Sequence, residues 1–315
     1  MNKKVAAIAA VIIIIIVGVF AYAQKSDNKP STSENTSSEK IKVVHSLGET
    51  DVAKNPEKVV VFDIPTLDTM NTLGIESVVG VPSSIYPENL KKYESDEYVN
   101  VGTLKEIDME AIKSAQPDLI IIGGRQADYY EELSKIAPTI SMSKDNTKYY
   151  EDSVKNIKLI AEIFGCEDEA NKKLEEIDSK IAKTKEKVNG AEALTLMVNE
   201  GNLSVYSDNS RFALAYQNLG FVTADDTIED STHGQNVSFE YLAKVNPEYI
   251  LVIDRNMATS GESAAKAVLD NDIVKSTDAY KNGKIIYLDA YTWYINDAGL
   301  DSINIMIDDI YSNIK

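Results

Sequence analysis

Cysteine occurs once in this 315-residue chain, as Cys166, so no internal disulfide can form and stability must come from packing. Its neighbours Glu167 and Asp168 are acidic. They disfavour the thiolate that a nucleophile needs and leave Cys166 a structural residue. Histidine occurs twice, which is too few for the several His and carboxylate ligands that a bare zinc or manganese site usually requires. Acidic residues outnumber basic ones 50 to 32, and a net charge of −18 leaves no broad basic patch for nucleic acid. An anionic ligand would have to be held by local cations against that overall field. The sequence contains no GxSxG elbow, HExxH pair or GxxxxGK(S/T) loop, and its many carboxylates form no paired motif, so nothing in it points to an enzyme.

Arginine is the scarcest charged residue, with only Arg125, Arg211 and Arg255 among the 32 basic side chains. Two of the three occupy matching points of an internal repeat. Residues 109–125 align without gaps on residues 239–255, an offset of 130. Each copy reads as a short helix, a turn at Pro117 or Pro247, and a buried strand. The arginine follows the strand's carboxyl end, where open α/β sheets bind ligands. Arg211 follows another strand-like run, residues 203–210.

The amino terminus carries the one long apolar run. Lys3 and Lys4 precede uncharged residues 5–23, which predict an export signal with a cleavage site after Ala23 or, if retained, a membrane anchor. Residues 24–40 are polar, without aliphatic or aromatic side chains, and predict a disordered tether. Beyond it, strands over 41–45, 50–53 and 59–63 give way to alternating helices and strands. That alternation predicts an α/β fold with mostly parallel sheets. In residues 167–188, apolar positions recur every three or four residues. Acidic residues open the run and lysines close it, which predicts one uninterrupted helix about 33 Å long at ~1.5 Å per residue. The expected organisation is an N-terminal lobe at 41–164, a backbone helix at 165–189 acting as a strut, and a C-terminal lobe at 190–315.

Guanidinium offers a planar fork of donors, permanently charged and weakly hydrated, that grips delocalised oxyanions with two bonds at once. Each charge-assisted bond contributes roughly 1.5 to 3 kcal/mol, so three arginines converging on one compact anion could support nanomolar affinity. His233 lies in a polar loop just before the second repeat copy, and Tyr294 follows Trp293, the only tryptophan, after the 285–288 strand. Imidazole and phenolate are both competent ligands for ferric iron.

At these residues the chain resembles the substrate-binding proteins of bacterial ferric-siderophore ABC importers, the class III fold of two Rossmann-like lobes joined by one long helix. It is most similar to the catecholate branch, of petrobactin or enterobactin type, on the strength of Arg125, Arg211 and Arg255, the Thr232-His233-Gly234 loop and the Trp293-Tyr294 pair. The likeness spans residues 41–315. It implies that the arginines hold an anionic ferric catecholate, with His233 and Tyr294 completing iron's coordination when the siderophore is tetradentate. It further implies a monomer with no intrinsic cofactor, carrying iron only as the siderophore complex and delivering it to an ABC permease. The location would be extracytoplasmic, either membrane-associated or secreted. One departure from the Gram-positive pattern is the lack of a cysteine for lipid attachment after the export signal. Haem, cobalamin or a hydroxamate siderophore are the alternative ligands on the same scaffold.

Overall fold

In the computed structural model, which describes residues 39–315, the chain enters through an antiparallel hairpin of β1 (Lys40–His45) and β2 (Gly48–Ala53). The export-signal segment and residues 24–38 of the expected tether lie outside the described residues. Lys40, the last expected tether residue, already pairs with Ala53.

A five-stranded sheet follows, built from β3 (Val59–Val61), β4 (Val78–Ser83), β5 (Val99–Thr103), β6 (Leu119–Ile122) and β7 (Thr139–Ser141). All its pairings are parallel, in the order β5-β4-β3-β6-β7. β3 and β6 are apolar and buried at every position, as strands covered on both faces must be. Between these two the strand order reverses. That is the switch point at which the loops leaving the carboxyl ends diverge and open a crevice.

The second sheet is mixed. Its strands are β8 (Glu192–Asn199), β9 (Asn202–Tyr206), β10 (Val222–Thr223), β11 (Gln235–Val237), β12 (Tyr249–Asp254) and β13 (Ile285–Tyr287). The main path runs β11-β9-β8-β12-β13, with β8, β12 and β13 parallel and β9 and β11 antiparallel. β8 returns directly into β9 through Glu200-Gly201, both at positive φ. This is the two-residue turn that suits a twisted hairpin, and glycine supplies its left-handed position without strain. The strand expected over 203–210 therefore starts one residue sooner and stops at Tyr206.

Two consecutive helices, Tyr149–Phe164 and Glu167–Val188, link the sheets, with a break at Gly165 and Cys166. The second is the uninterrupted helix that the sequence predicts. Its stripe of Ala170, Leu174, Ile177 and Val188 packs into the core of the second sheet, while the opposite face carries charge to solvent. Burial and the neighbouring Glu167 push the Cys166 thiol up, in line with a structural residue.

The carboxyl-terminal segment joins both cores. Ala290, Tyr291 and Ile295 pack among residues of the first sheet, whereas Trp293, Leu300, Ile303 and Met306 pack with the second. The last helix, Leu300–Asn313, starts at Gly299, which has no side chain to cap it. Asp68, on the Ile64–Thr72 helix of the first sheet, supplies that cap from outside. Its Oδ2 accepts from the Asp301 and Ser302 amides at 2.9 and 3.1 Å, and Thr69 Oγ1 accepts from Leu300 N at 3.2 Å. A Cβ at Gly299 would overlap the Asp68 carboxyl, so the missing side chain is what admits this cap.

Burial raises the Asp68 pKa to about 7, outweighing the amide hydrogen bonds that favour the anion. The unfolded chain releases this proton near 3.8 and the folded one near 7. Between those values the native state binds more protons, so this group's contribution to stability falls as pH rises from about 4 to 7. Asp68→Asn, which keeps an acceptor and cannot ionise, should gain as much as ~4 kcal/mol relative to wild type across that interval. Denaturant titrations of both proteins at pH 4.5 and pH 8 check this; a constant difference between them would refute it.

Candidate functional site

The carboxyl ends of β3, β6 and β7 and those of β8 and β12 open onto one cleft of about 950 Å³. Arg125, Arg211, Arg255, His233 and Tyr294 all line it. Five residues far apart in sequence are thus brought to a single site.

The repeat explains how two of the arginines arrive there. The Met109–Ala115 helix ends at Gln116 with φ 49°, and the Phe239–Val245 helix ends at Asn246 with φ 47°. Each left-handed residue directly precedes the proline, which bars the helix from continuing and turns the chain into a buried strand. Past β6 the chain enters a 3-10 turn, Gly124–Tyr129, which leaves Arg125 exposed. Past β12 it enters the Arg255–Ser260 helix, capped by Asp254. The Asp254 carboxylate accepts from Met257 N, Ser263 Oγ, Ala264 N and Ala265 N at 2.8 to 3.2 Å. Burial alone would raise its pKa, but these bonds together hold it below the usual carboxylate range.

Tyr294 is the hub of the three guanidiniums. Its backbone carbonyl accepts from Arg211 Nη2 at 2.6 Å and makes a long contact with Arg125 Nη2 at 3.5 Å. Its phenol oxygen accepts from Arg255 Nε at 2.8 Å, while Arg255 Nη1 reaches Asn199 Oδ1 at 2.7 Å. The Arg211 and Arg255 carbons lie 4.6 and 5.5 Å from the centroid of the Tyr294 ring, within the range of cation–π attraction. Arg211 Nε is buried and pairs with nothing among the described residues, a donor that costs about 1–3 kcal/mol to leave unmet.

His233 is exposed on a turn over residues 231–234. Its carbonyl accepts from the Tyr206 hydroxyl at 3.0 Å. Burial pushes the Tyr206 phenol up to about 12, so it remains a donor. Gly234 stands at φ +74°, and a Cβ there would come within 2.7 Å of the Tyr206 ring, so only glycine lets the turn lie against that ring. Trp293 does not share the cleft with Tyr294. It is fully buried, donating Nε1–H to Asp309 Oδ2 at 3.0 Å, and anchors the segment from behind.

Sequence reasoning missed Asn199, Asp63, Lys144 and Asp297, all of which line the cleft. Lys144 lies three residues beyond β7 and obeys the same carboxyl-end rule as the arginines. Lysine is too common in this chain for its position to stand out. Asp297 comes three residues after Tyr294, just beyond the Ala290–Tyr294 helix, and its proximity in sequence to Tyr294 is the signal that could have found it. Among the described residues, no group of three or more His, Cys, Asp or Glu side chains could hold a metal ion.

Two helix-linked sheets with a polar, arginine-bearing cleft between their carboxyl ends define a solute-binding protein of class III. Residues 59–292 match the periplasmic binding protein family, and the chain belongs to that family. Over 313 residues, 98% of each chain, it is 42% identical to the petrobactin-binding protein YclQ of Bacillus subtilis (strain 168). The crystal structure of that protein superposes with a TM-score of 0.85, covering 88% of this chain and 99% of the other. The periplasmic catecholate-siderophore binding protein VctP of Vibrio cholerae is 36% identical, with a TM-score of 0.83 over 87% of this chain and 100% of that one. Over 280 residues, 86% of each chain, the sequence is also 34% identical to the ferric-anguibactin-binding protein FatB of Vibrio anguillarum.

Removing the Asp254 carboxylate strands three amides at the start of the Arg255–Ser260 helix and its neighbouring loop. Asp254→Ala should lower stability by about 2 kcal/mol, read as a reduced denaturant midpoint at unchanged slope. An unchanged midpoint would show that water replaces these bonds without loss.

Proposed function

We propose that this protein captures a ferric catecholate siderophore in the cleft and hands it to an ABC importer for iron uptake. The observation that carries the reading is the convergence of all three arginines of the chain on Tyr294. Fe(III) held by three doubly deprotonated catechols carries three negative charges, which three guanidiniums balance. With two catechols the complex is singly negative and two coordination positions stay open. His233 and Tyr294 then supply the imidazole and phenolate that complete the iron's shell. The relatives named above, a petrobactin-binding protein and a catecholate-siderophore binding protein, support the same ligand class.

In this reading the protein is a monomeric carrier and not an enzyme, working outside the cytoplasm and retained by residues 1–23 or released after Ala23. Residues 41–164 and 190–315 act as the two lobes about the 165–189 helix, with the segment around Tyr294 attached to both. Haem, cobalamin and hydroxamate complexes do not require three arginines, whereas a trianionic ferric catecholate matches three guanidiniums in charge.

Titration of the purified protein with ferric catecholate, ferric hydroxamate and haem, followed by tryptophan fluorescence, tests the ligand class. The catecholate should bind tightest, and haem binding more tightly would overturn the assignment. Arg125→Ala and Arg255→Ala should each weaken ferric-catecholate binding at least tenfold, as loss of a charge partner that the bound ligand would cover does; unchanged affinity in both would remove the pocket. His233→Ala and Tyr294→Phe should impair bis-catechol complexes much more than tris-catechol ones. Equal losses for the two ligand types would argue against coordination by these side chains.

A further inference from the structure

Lys144 and Asp297 form an ion pair in the wall of the same cleft, and the proposed binding mode leaves it without a role. Lys144 Nζ lies 3.1 Å from both carboxylate oxygens, with side chains only 16% and 8% exposed. The lysine comes from the loop after β7 and the aspartate from the segment between Tyr294 and the last helix, so the pair bridges two elements that meet at the cleft. Lys144 Nζ is also 5.1 Å from the centroid of the buried Tyr149 ring. Burial raises the Tyr149 phenol, Asp297 adds to that and Arg211 opposes it, which sets the pair beside the arginine cluster. Behind it lies Asp63, raised by burial, favoured as an anion by Lys144 and disfavoured by Asp297.

A shielded pair of this kind adds little net charge to the space it faces. Each partner alone would add a full unit in a region where water screens poorly. Lys105, the other lysine lining the cleft, is solvent-exposed and better screened.

We infer that the Lys144–Asp297 pair sets the charge selectivity of the cleft, with Asp297 masking a fourth cation so that the three guanidiniums alone define the field at the ligand. This rests on the ferric-catecholate reading and adds a specificity determinant to it. A cleft with one more exposed positive charge favours a trianionic complex over a monoanionic one, and a cleft with one fewer narrows that preference. Asp297→Asn unmasks the lysine. Lys144→Met unmasks the aspartate. The double variant removes both charges and restores the original balance.

Dissociation constants for ferric tris-catecholate and ferric bis-catecholate, measured for wild type and the three variants, test the inference. The tris-over-bis preference should rise roughly three- to tenfold in Asp297→Asn, fall by a similar factor in Lys144→Met, and return near the wild-type value in the double variant. A purely structural pair would give losses of the same size for both ligands in both single variants, and that result would overturn the inference. If Lys144→Met does not fold, Lys144→Gln keeps a neutral donor for Asp297 and must move the ratio in the same direction; an unmoved ratio refutes the idea equally. Wild-type protein binding neither complex would sink the ligand assignment and this inference with it, whereas wild type binding both with an unresponsive ratio sinks only the inference.

Discussion

Holding three guanidiniums around one tyrosine is the constraint on which the rest of the molecule depends. Like charges a few ångströms apart repel by about 1 kcal/mol per pair in water and by several times that where protein displaces water. Tyr294 offsets this with three different surfaces: a carbonyl oxygen for Arg211 and Arg125, a phenol oxygen for Arg255, and a ring face for Arg211 and Arg255. Asn199 adds one more acceptor. Apart from the ring these partners are neutral dipoles, which soften the repulsion without cancelling the charge. A positive field therefore survives in a protein whose net charge is −18.

Such an arrangement works only if Tyr294 is fixed, and the packing around it provides that. Tyr291 and Ile295 are held in the first core and Trp293 and Leu300 in the second, so within ten residues the segment is tied to both sheets. Asp68 and Thr69 then cap the helix that follows, from the helix that follows β3. The Ile64–Thr72 helix begins in the cleft wall, with Pro65, Thr66 and Thr69 among the lining residues. One short helix thus shapes the cleft at its start and anchors the tyrosine segment further along.

The sequence made the duplicated unit legible because two rare residues marked equivalent points in it. The structure extends the match to the left-handed Gln116 and Asn246 before each proline, a detail that no composition reveals. The Glu167–Val188 helix was equally readable, since its apolar spacing and terminal charges agree. The second sheet was less so. A strand returning through a two-residue turn and one leaving for a parallel crossover carry similar apolar runs, and β9 announces its direction only through Glu200-Gly201. Residues 149–164, expected within the N-terminal lobe, form a helix of the connection, so the link has two parts and not one strut. Trp293 and Tyr294 are adjacent in sequence, yet on one helical turn their side chains point in different directions, one into the core and one to the cleft.

The difference between the arginines and Lys144 follows from their chemistry. A guanidinium keeps its charge while spreading its donors over a carbonyl, a phenol and an amide, so neutral partners suffice to place it. An ammonium is a compact, strongly hydrated charge, and placing one where only 16% of the side chain meets solvent calls for a full counter-ion. Asp297 is that counter-ion, and it stands on the same tethered segment as Tyr294. The segment therefore carries both kinds of partner, a dipole that leaves the arginines charged and a carboxylate that silences the lysine. Besides the exposed Lys105, four cations line the cleft, and their partners differ in kind: neutral groups leave the three arginines charged, whereas a carboxylate offsets Lys144.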